Sequence, residues 1–474
     1  MKRVSRWWCS RWDVAMFLTR GVVICGLALL SPHDGTSASD KTLHLSSWDV
    51  VTFQFPIGEP VVMAAGDFNR DGSDDLFLVT AIKRPRLVFG ALGPEFLPSD
   101  EHEIRFFILS WRAEEPEEPY LISTLPASNQ QVGLDKPLVA DLDRDGYQDV
   151  VVLLSIGPIS APPALFDLEN IKTQLVIFWN EGDGTFVQDR IPVELLPIPA
   201  YHVPTLFALG DFNSDDLLDI ACLDSRNLRL QVFYNKGNRS FTGPEFVLLG
   251  HTDDACIPVA MNLHSARVDE TRQGDDIVVS GPCYHAEDNF DHFIRVIFSC
   301  GTDCWEASPL LLADVQMQSF QDALWDIAIE DVDGDEHMDI LLLGQLGAAE
   351  AKPQIPRPAP SLMDIYLLPG DGRGQFGPPR FLGWSEMGRF LFVDSQPEGE
   401  WGVTIVVLTE NVVWPAIVVH ISSDFSQVSS TTLYGRGYVI DGAVINKGTS
   451  RELVLLASLD LESEVTLVNV VRGW

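Results

Sequence analysis

Oxygen-bearing side chains recur at alternate positions in four short segments of this chain: DFNRDGSDD from Asp67, DLDRDGYQD from Asp141, DFNSDDLLD from Asp211 and DVDGDEHMD from Asp331. Positions 1, 3, 5 and 9 are Asp67, Asn69, Asp71 and Asp75 in the first copy, and Asp141, Asp143, Asp145 and Asp149 in the second. They are Asp211, Asn213, Asp215 and Asp219 in the third, and Asp331, Asp333, Asp335 and Asp339 in the fourth. Alternating carboxylates in a tight turn supply the oxygen shell of a hard cation, and a backbone carbonyl at position 7 can complete it. That carbonyl belongs to Ser73, Tyr147, Leu217 and His337. Calcium suits a flexible shell built mostly of protein, whereas magnesium keeps waters and demands strict octahedral geometry. The expectation is therefore about four calcium ions, one per loop.

The loops are not EF-hands. An EF-hand needs a bidentate Glu at position 12 and flanking helices; position 12 here is Leu78, Val152, Cys222 and Leu342. The runs that follow position 9, DLFLVT, DVVVLL, DIACLD and DILLLG, read as strands buried on both faces. Strand-like runs also precede position 1, so each unit is strand, acidic loop, strand. A plain polar turn would tolerate Ser, Lys or Pro at these positions, and four copies in one register argue against it. Position 6 calls for a sharp turn and carries Gly72, Gly146, Asp216 and Glu336. Asp tolerates a left-handed backbone better than Glu does, so the Asp331 loop is expected to have the least secure geometry.

The four loops start in steps of 74, 70 and 120 residues, and the doubled last step predicts a worn copy in between. VDETRQGDDIVVSG from Val268 keeps Asp276 and the apolar run but has lost the loop, and DSQPEGEWGVTIVVLT from Asp394 and VINKGTSRELVLLAS from Val444 are worn further. Starts at 67, 141, 211, 268, 331, 394 and 444 make seven units. A second half of each unit is a hairpin about a Gly-rich turn, plain in LVIFWNEGDGTFVQ, LQVFYNKGNRSFTG and DIYLLPGDGRGQFG. Four strands per unit and seven units predict an all-β fold: a seven-bladed β-propeller of four-stranded antiparallel blades with calcium loops between strands 1 and 2. The last unit stops after EVTLVNVV, and an orphan strand, TLHLSSWDVVTFQF, precedes the first loop. Closure by the N-terminal strand would remove both exposed edges; six or eight blades are the rival counts.

The four loops and the turn Gly182-Asp183-Gly184-Thr185-Phe186 resemble the FG-GAP and VCBS repeats found in the propeller of integrin α subunits and in many secreted bacterial proteins. The resemblance covers nearly all of residues 39–474, read as one domain, although only four of the seven loops keep the full motif. It implies calcium held within blades and a role in recognition or adhesion.

Residues 1–38 read as a secretory signal peptide: a basic region with Lys2, Arg3, Arg6, Arg11 and Arg20, an apolar core from Gly21 to Leu30, and small residues up to a cleavage site near Ala38. The apolar core is too short to span a bilayer, and Ile24 is bulky where a lipid-attachment box before Cys25 wants a small residue. No transmembrane segment is expected elsewhere, and localisation should be secreted, periplasmic or extracellular. The formal net charge of −36 repels nucleic acid and anionic lipid. Cys300 and Cys304 flank a tight turn, and an exported compartment favours their disulfide. Cys256 and Cys283 are a candidate second pair, and Cys222 reads as a buried thiol.

Long connections on a rigid scaffold are where binding usually resides. Residues 112–131, 157–170, 195–204 and 347–361 are long, irregular and Pro-rich, and the alternation of strand direction would place them opposite the acidic loops. Tyr120, Phe166, Tyr201 and His202 are the candidate ligand-binding anchors there. No catalytic residues emerge: there is no HExxH, G-x-S-x-G, P-loop or G-x-G-x-x-G after a strand. Three readings follow. The first is a monomeric, non-catalytic recognition module for a protein or carbohydrate ligand with structural calcium. The others are a carbohydrate-active enzyme, either lyase or hydrolase, and a structural envelope or matrix component.

Overall fold

The computed structural model describes residues 49–472, apart from short breaks and the longer stretches 159–170, 195–205, 309–323 and 345–362. The signal segment, Phe166, Tyr201 and His202 lie outside the described residues. Every regular element among the described residues is a strand.

Among the described residues, seven antiparallel sheets of four or five strands follow one another along the chain, beside two small two-stranded ribbons. Blade 1 comprises Glu59–Gly66, Asp75–Ile82, Glu103–Leu109 and Tyr120–Pro126. Blade 2 has a first strand broken into Gln130–Leu134 and Leu138–Ala140, then Asp149–Pro158, Lys172–Asn180 and Phe186–Val193. Blade 3 is Phe207–Gly210, Asp219–Asp224, Arg229–Asn235 and Phe241–Leu248. In blade 4 the first strand is again broken, into Cys256–Pro258 and Asn262–Ala266, before Asp276–His285, Phe290–Ser299 and Trp305–Ala307. Blade 5 is Leu324–Glu330, Asp339–Gly344, Met363–Leu368 and Arg380–Ser385. Blade 6 is Gly388–Ser395, Val403–Thr409, Ala416–Ile421 and Val428–Leu433.

Blade 7 takes three strands from the C-terminal end, Tyr438–Lys447, Ser450–Ser458 and Thr466–Arg472. Its fourth is Asp49–Phe55, which pairs antiparallel with Thr466–Arg472 from Asp49↔Arg472 to Phe55↔Thr466.

The apolar second strands are explained by where alternate residues go. Phe77 and Val79 pack with Val150 and Val152 between blades 1 and 2. Their neighbours Leu76 and Leu78 pack with Ile445, Val454 and Val468 between blades 1 and 7. The same division recurs around the ring, and each of the seven apolar clusters is shared by two adjacent blades. A strand with a core on both faces cannot alternate polar and apolar residues, which is why these runs are apolar throughout.

Candidate metal centres

All four complete acidic loops fold by one hydrogen-bond scheme. The position-1 carboxylate accepts the amide at position 6: Gly72 to Asp67, Gly146 to Asp141, Asp216 to Asp211 and Glu336 to Asp331, at 2.8–3.0 Å. The position-5 carboxylate accepts the amide at position 7, from Ser73, Tyr147, Leu217 and His337, at 2.8–2.9 Å. Asn69, Asp143 and Asn213 at position 3 each accept the amide at position 5. Amides thus wrap the carboxylates into a concave cradle.

The cradle requires a left-handed backbone at positions 4 and 6. Arg70, Arg144 and Ser214 at position 4 have φ of 60–62°, and Gly334 has 80°. At position 6, Gly72, Gly146, Asp216 and Glu336 have φ of 84, 88, 61 and 72°. The Asp331 loop therefore keeps the geometry of the others despite Glu336, with its glycine moved to position 4.

Position 9 has a second task. Asp149 is fully buried; its Oδ2 accepts Leu142 N at 3.0 Å and its Oδ1 accepts Asn180 N at 2.8 Å. Asp219 bonds Phe212 N and Asn235 N in the same way, and Asp339 bonds Val332 N and Gly370 N. Each carboxylate fastens its loop to the end of the third strand. Burial, aided by neighbouring carboxylates, pushes Asp75, Asp149 and Asp219 up to about 7 and Asp339 to about 6.

These residues fit a hard cation. Oxygens of Asp141, Asp143 and Asp149 lie within 4.8 Å of one another, as do those of Asp331, Asp333 and Asp335. Asp141 Oδ1 and Asp75 Oδ2 are buried with no hydrogen-bond partner, the state that a coordinated ion would relieve. Asn69 and Asn213 bring a carbonyl instead of a carboxylate to position 3, which keeps the donor set all oxygen.

Where a loop has lost its aspartates, basic side chains stand beside the remaining acids. In blade 4, Arg272 occupies position 5 of the worn copy; its Nε is 2.9 Å from Asp269 Oδ2 and its Nη2 2.7 Å from Glu306 Oε2. Asp276 still accepts the amides of Asp269 and Ser299, so the backbone fastening survives the loss of the ligands. In blade 7, Lys447 Nζ lies 2.7 Å from Glu452 Oε2 and over the Trp111 ring.

Sequence reasoning missed a set of inter-blade clasps. Asp135, Asp326 and Asp441 each accept the following residue's amide on Oδ1, from Lys136, Ile327 and Gly442 at 2.7, 2.9 and 2.8 Å. Each Oδ2 accepts an amide of the next blade, from Leu206, Phe390 and Met63 at 2.6, 2.7 and 2.8 Å. Arg389 reaches across to Asp441 at 2.6 Å. A readable signal existed: an Asp interrupts the apolar first strand shortly before the acidic loop in DKPLVAD and DIAIED.

Tyr120 does not stand opposite the acidic loops. It opens the fourth strand of blade 1 at the acidic-loop end, paired with Ile108, and is exposed. Burial of part of the ring, then the Asp75 charge, pushes its hydroxyl up to about 12. The cause is an extra hairpin, Arg86–Gly90 with Gly93–Leu97, inserted between the second and third strands. It shifts the stretch after Trp111 to the third-to-fourth connection.

Cys300 and Cys304 form a disulfide, with Cα atoms 5.1 Å apart, and Cys222 is a buried free thiol. Cys256 pairs with His285 and Cys283 with Pro258 on adjacent strands; their side chains lie outside the described residues. No helix among the described residues is long and apolar enough to cross a membrane.

Residues 141–222 match the FG-GAP-like repeat, a span from the Asp141 loop through most of the second strand of blade 3. No curated protein matches the sequence. Among solved structures the chain is similar to BBS1N in complex with ARL6DN, at 10% identity and a TM-score of 0.43, over 90% of this chain and 98% of that one. It is similar to polysaccharide lyase Uly1 at 11% identity and a TM-score of 0.43, over 87% and 90% of the two chains. Similarity to Trypanosoma rangeli sialidase, solved with sialic acid, is 6% in identity and 0.41 in TM-score, over 88% and 54%. None of these likenesses bears on what the chain binds.

Proposed function

We propose that this chain is an exported, calcium-stabilised β-propeller that recognises a protein or carbohydrate partner and performs no chemistry of its own. One observation carries the reading. In three of the four loops the position-9 carboxylate that would complete the ion shell, Asp149, Asp219 or Asp339, is buried and bonded at the end of the third strand of its own blade. An ion held there would be tied into the blade's frame, where its first effect is on stability. Calcium in each cradle would offset two of the three or four clustered carboxylate charges of its loop and lock loop to strand. Recognition would then fall to the rest of a rigid surface, as is usual for connections on such a scaffold.

The test pairs two measurements on the chain without its first 38 residues. Calorimetric titration should give about four calcium ions, with a large fall in melting temperature in chelator. Glycan arrays and pull-downs from an envelope fraction should retain a partner that is recovered unaltered. Conversion of a retained polysaccharide to shorter products would overturn the non-catalytic reading. A melting curve indifferent to chelator would overturn the calcium.

A further inference from the structure

Between blades 2 and 3 the third and fourth strands of the two sheets leave a cavity of about 440 Å³, within the range of about 300–1,000 Å³ usual for small-ligand sites. Its lining sets the apolar Pro192, Phe241 and Pro244 beside the polar Asp189, Arg190 and Arg239. The polar groups are held in place. Asp189 Oδ2 accepts Trp179 Nε1 at 2.9 Å, and the Trp179 ring stacks on Phe241 with centroids 6.3 Å apart. With the Gln188 amide in the orientation that satisfies both its ends, its carbonyl accepts from Arg190 Nε and Nη2 at 2.9 and 3.0 Å.

Arg239 belongs to two sites at once. It lines the cavity and lies over the Trp179 ring, 5.5 Å from its centroid. Its Nε is also 2.7 Å from Asp143 Oδ2, its Nη2 is 3.8 Å from Asp145 Oδ2, and Nη1 pairs with Glu181. Asp143 and Asp145 are positions 3 and 5 of the Asp141 loop. A divalent ion in that loop would compete with Arg239 for those carboxylates, and a ligand oxygen in the cavity would compete with them for Arg239. The two binding events would then favour each other, by the same factor in either direction.

The chemistry of the lining selects the ligand. An apolar molecule would leave a carboxylate and two guanidinium groups without new partners as it displaced their water. Nucleic acid is repelled by the chain's net charge of −36. A pyranose ring presents a C–H face to Phe241 and the prolines, and hydroxyls that can donate to the Asp189 carboxylate and accept from an Arg190 N–H or from Arg239 once it leaves the loop carboxylates. We propose that the cavity between blades 2 and 3 is a saccharide site for such a ring, and that Arg239 couples its affinity to the divalent ion in the Asp141 loop. The proposal rests on the recognition reading above and narrows the partner to a carbohydrate.

The test is calorimetric titration of the full mature chain with cellotriose, mannotriose and a glucuronate-containing trisaccharide, each in calcium and in chelator. At least one should bind one to one in calcium and about tenfold more weakly in chelator, within the span usual for coupled sites of about 5–150-fold. Neutral and acidic trisaccharides support the proposal equally. Phe241→Ala and Arg190→Gln should each weaken binding about tenfold or more with calcium stoichiometry unchanged; Phe241→Leu serves if the alanine variant melts early. Arg239→Gln should abolish the difference between calcium and chelator. Binding that ignores the Phe241 and Arg190 variants would overturn the cavity while leaving recognition intact. Equal affinity in calcium and chelator would overturn the coupling. If no trisaccharide bound, the carbohydrate class would fall, and the envelope pull-down would separately decide the recognition reading.

Discussion

The backbone amide of Asn180 donates to Asp149 Oδ1 at 2.8 Å, fastening the third strand of blade 2 to the end of its own acidic loop. The Asn180 side chain meanwhile donates to Phe68 O, at position 2 of the preceding blade's loop, at 2.8 Å. Asn235 repeats both bonds one blade on, to Asp219 at 2.8 Å and to Leu142 O at 2.7 Å. The acidic loops of blades 1, 2 and 3 are therefore joined in series through two asparagines.

Removing one link should be costly. Asn180 is fully buried, and truncation to Ala leaves the carbonyls of Phe68 and Gln148 without that donor. The expected loss is about 1–3 kcal/mol, read by urea denaturation in calcium. Val187→Ala, on the exposed face of the same blade, should cost under about 0.5 kcal/mol. Equal midpoints for the two variants would remove Asn180 from its linking role.

Metal removal should act loop by loop. A site whose dissociation constant is about a hundredth of ambient calcium adds roughly 2.7 kcal/mol to the folded state. Asp145→Ala should lower calcium stoichiometry by about one and shrink the chelator-induced fall in melting temperature by about a quarter. Arg272→Ala should destabilise the protein equally with and without calcium, since that arginine already sits beside Asp269 and Glu306 in a loop lacking the ligand set. A calcium-dependent effect of Arg272→Ala would show that the worn loop binds metal after all.

The blades were legible because two cores impose two demands on one strand. Leu76 and Phe77 are neighbours in sequence yet serve different interfaces, so the apolar run persists even at Ile277, where the ligands of the loop are gone. The candidate site was legible where chemistry repeats, at the alternate oxygens. It was not legible where one residue serves two blades. Asp326 looks like an interruption of an apolar strand until Phe390 of the next blade supplies its partner. Tyr120 was misplaced because an inserted hairpin shifts the order of connections without disturbing the period of the strands around it.

The clasps predict a pH dependence. Burial pushes Asp135 and Asp326 up to about 7 from the ordinary 3.8, against the opposing pull of their amide bonds and of Lys136 and Arg389. A carboxyl whose folded-state value lies above its unfolded value holds its proton more tightly when folded. The stability this gives is present below about pH 4 and is lost as pH rises through about 7, with a ceiling of about 4 kcal/mol per group. In chelator, unfolding free energy should fall between pH 5 and 7.5, and it should fall less in Asp326→Asn, which cannot ionise. Parallel pH profiles for the two proteins would show that Asp326 is charged throughout that range.

The N-terminal strand offers the last prediction. Asp49–Phe55 is bonded along its whole length to Thr466–Arg472, residues at the other end of the chain. Phe55 also enters the cluster that holds Met63 of blade 1 against Val468 and Val470 of blade 7. Deleting residues 49–55 would bare the edge of the third strand of blade 7 and open one face of that cluster. An unpaired edge is a template for another chain, so the truncated protein should melt earlier and self-associate as its concentration rises. Val51→Pro tests the same contact with one change, because proline can donate no ladder hydrogen bond and is tolerated only at edges and bulges. Val51 pairs with Val470 in an outermost strand, so the effect depends on whether its amide faces Thr466–Arg472 or solvent. Running Val51→Pro beside Thr52→Pro resolves this, since adjacent amides point to opposite sides and one of the two must break a bond to the third strand. If neither proline nor the deletion lowered the melting temperature, the strand would be an ornament on a ring that the remaining contacts between blades 1 and 7 hold shut by themselves.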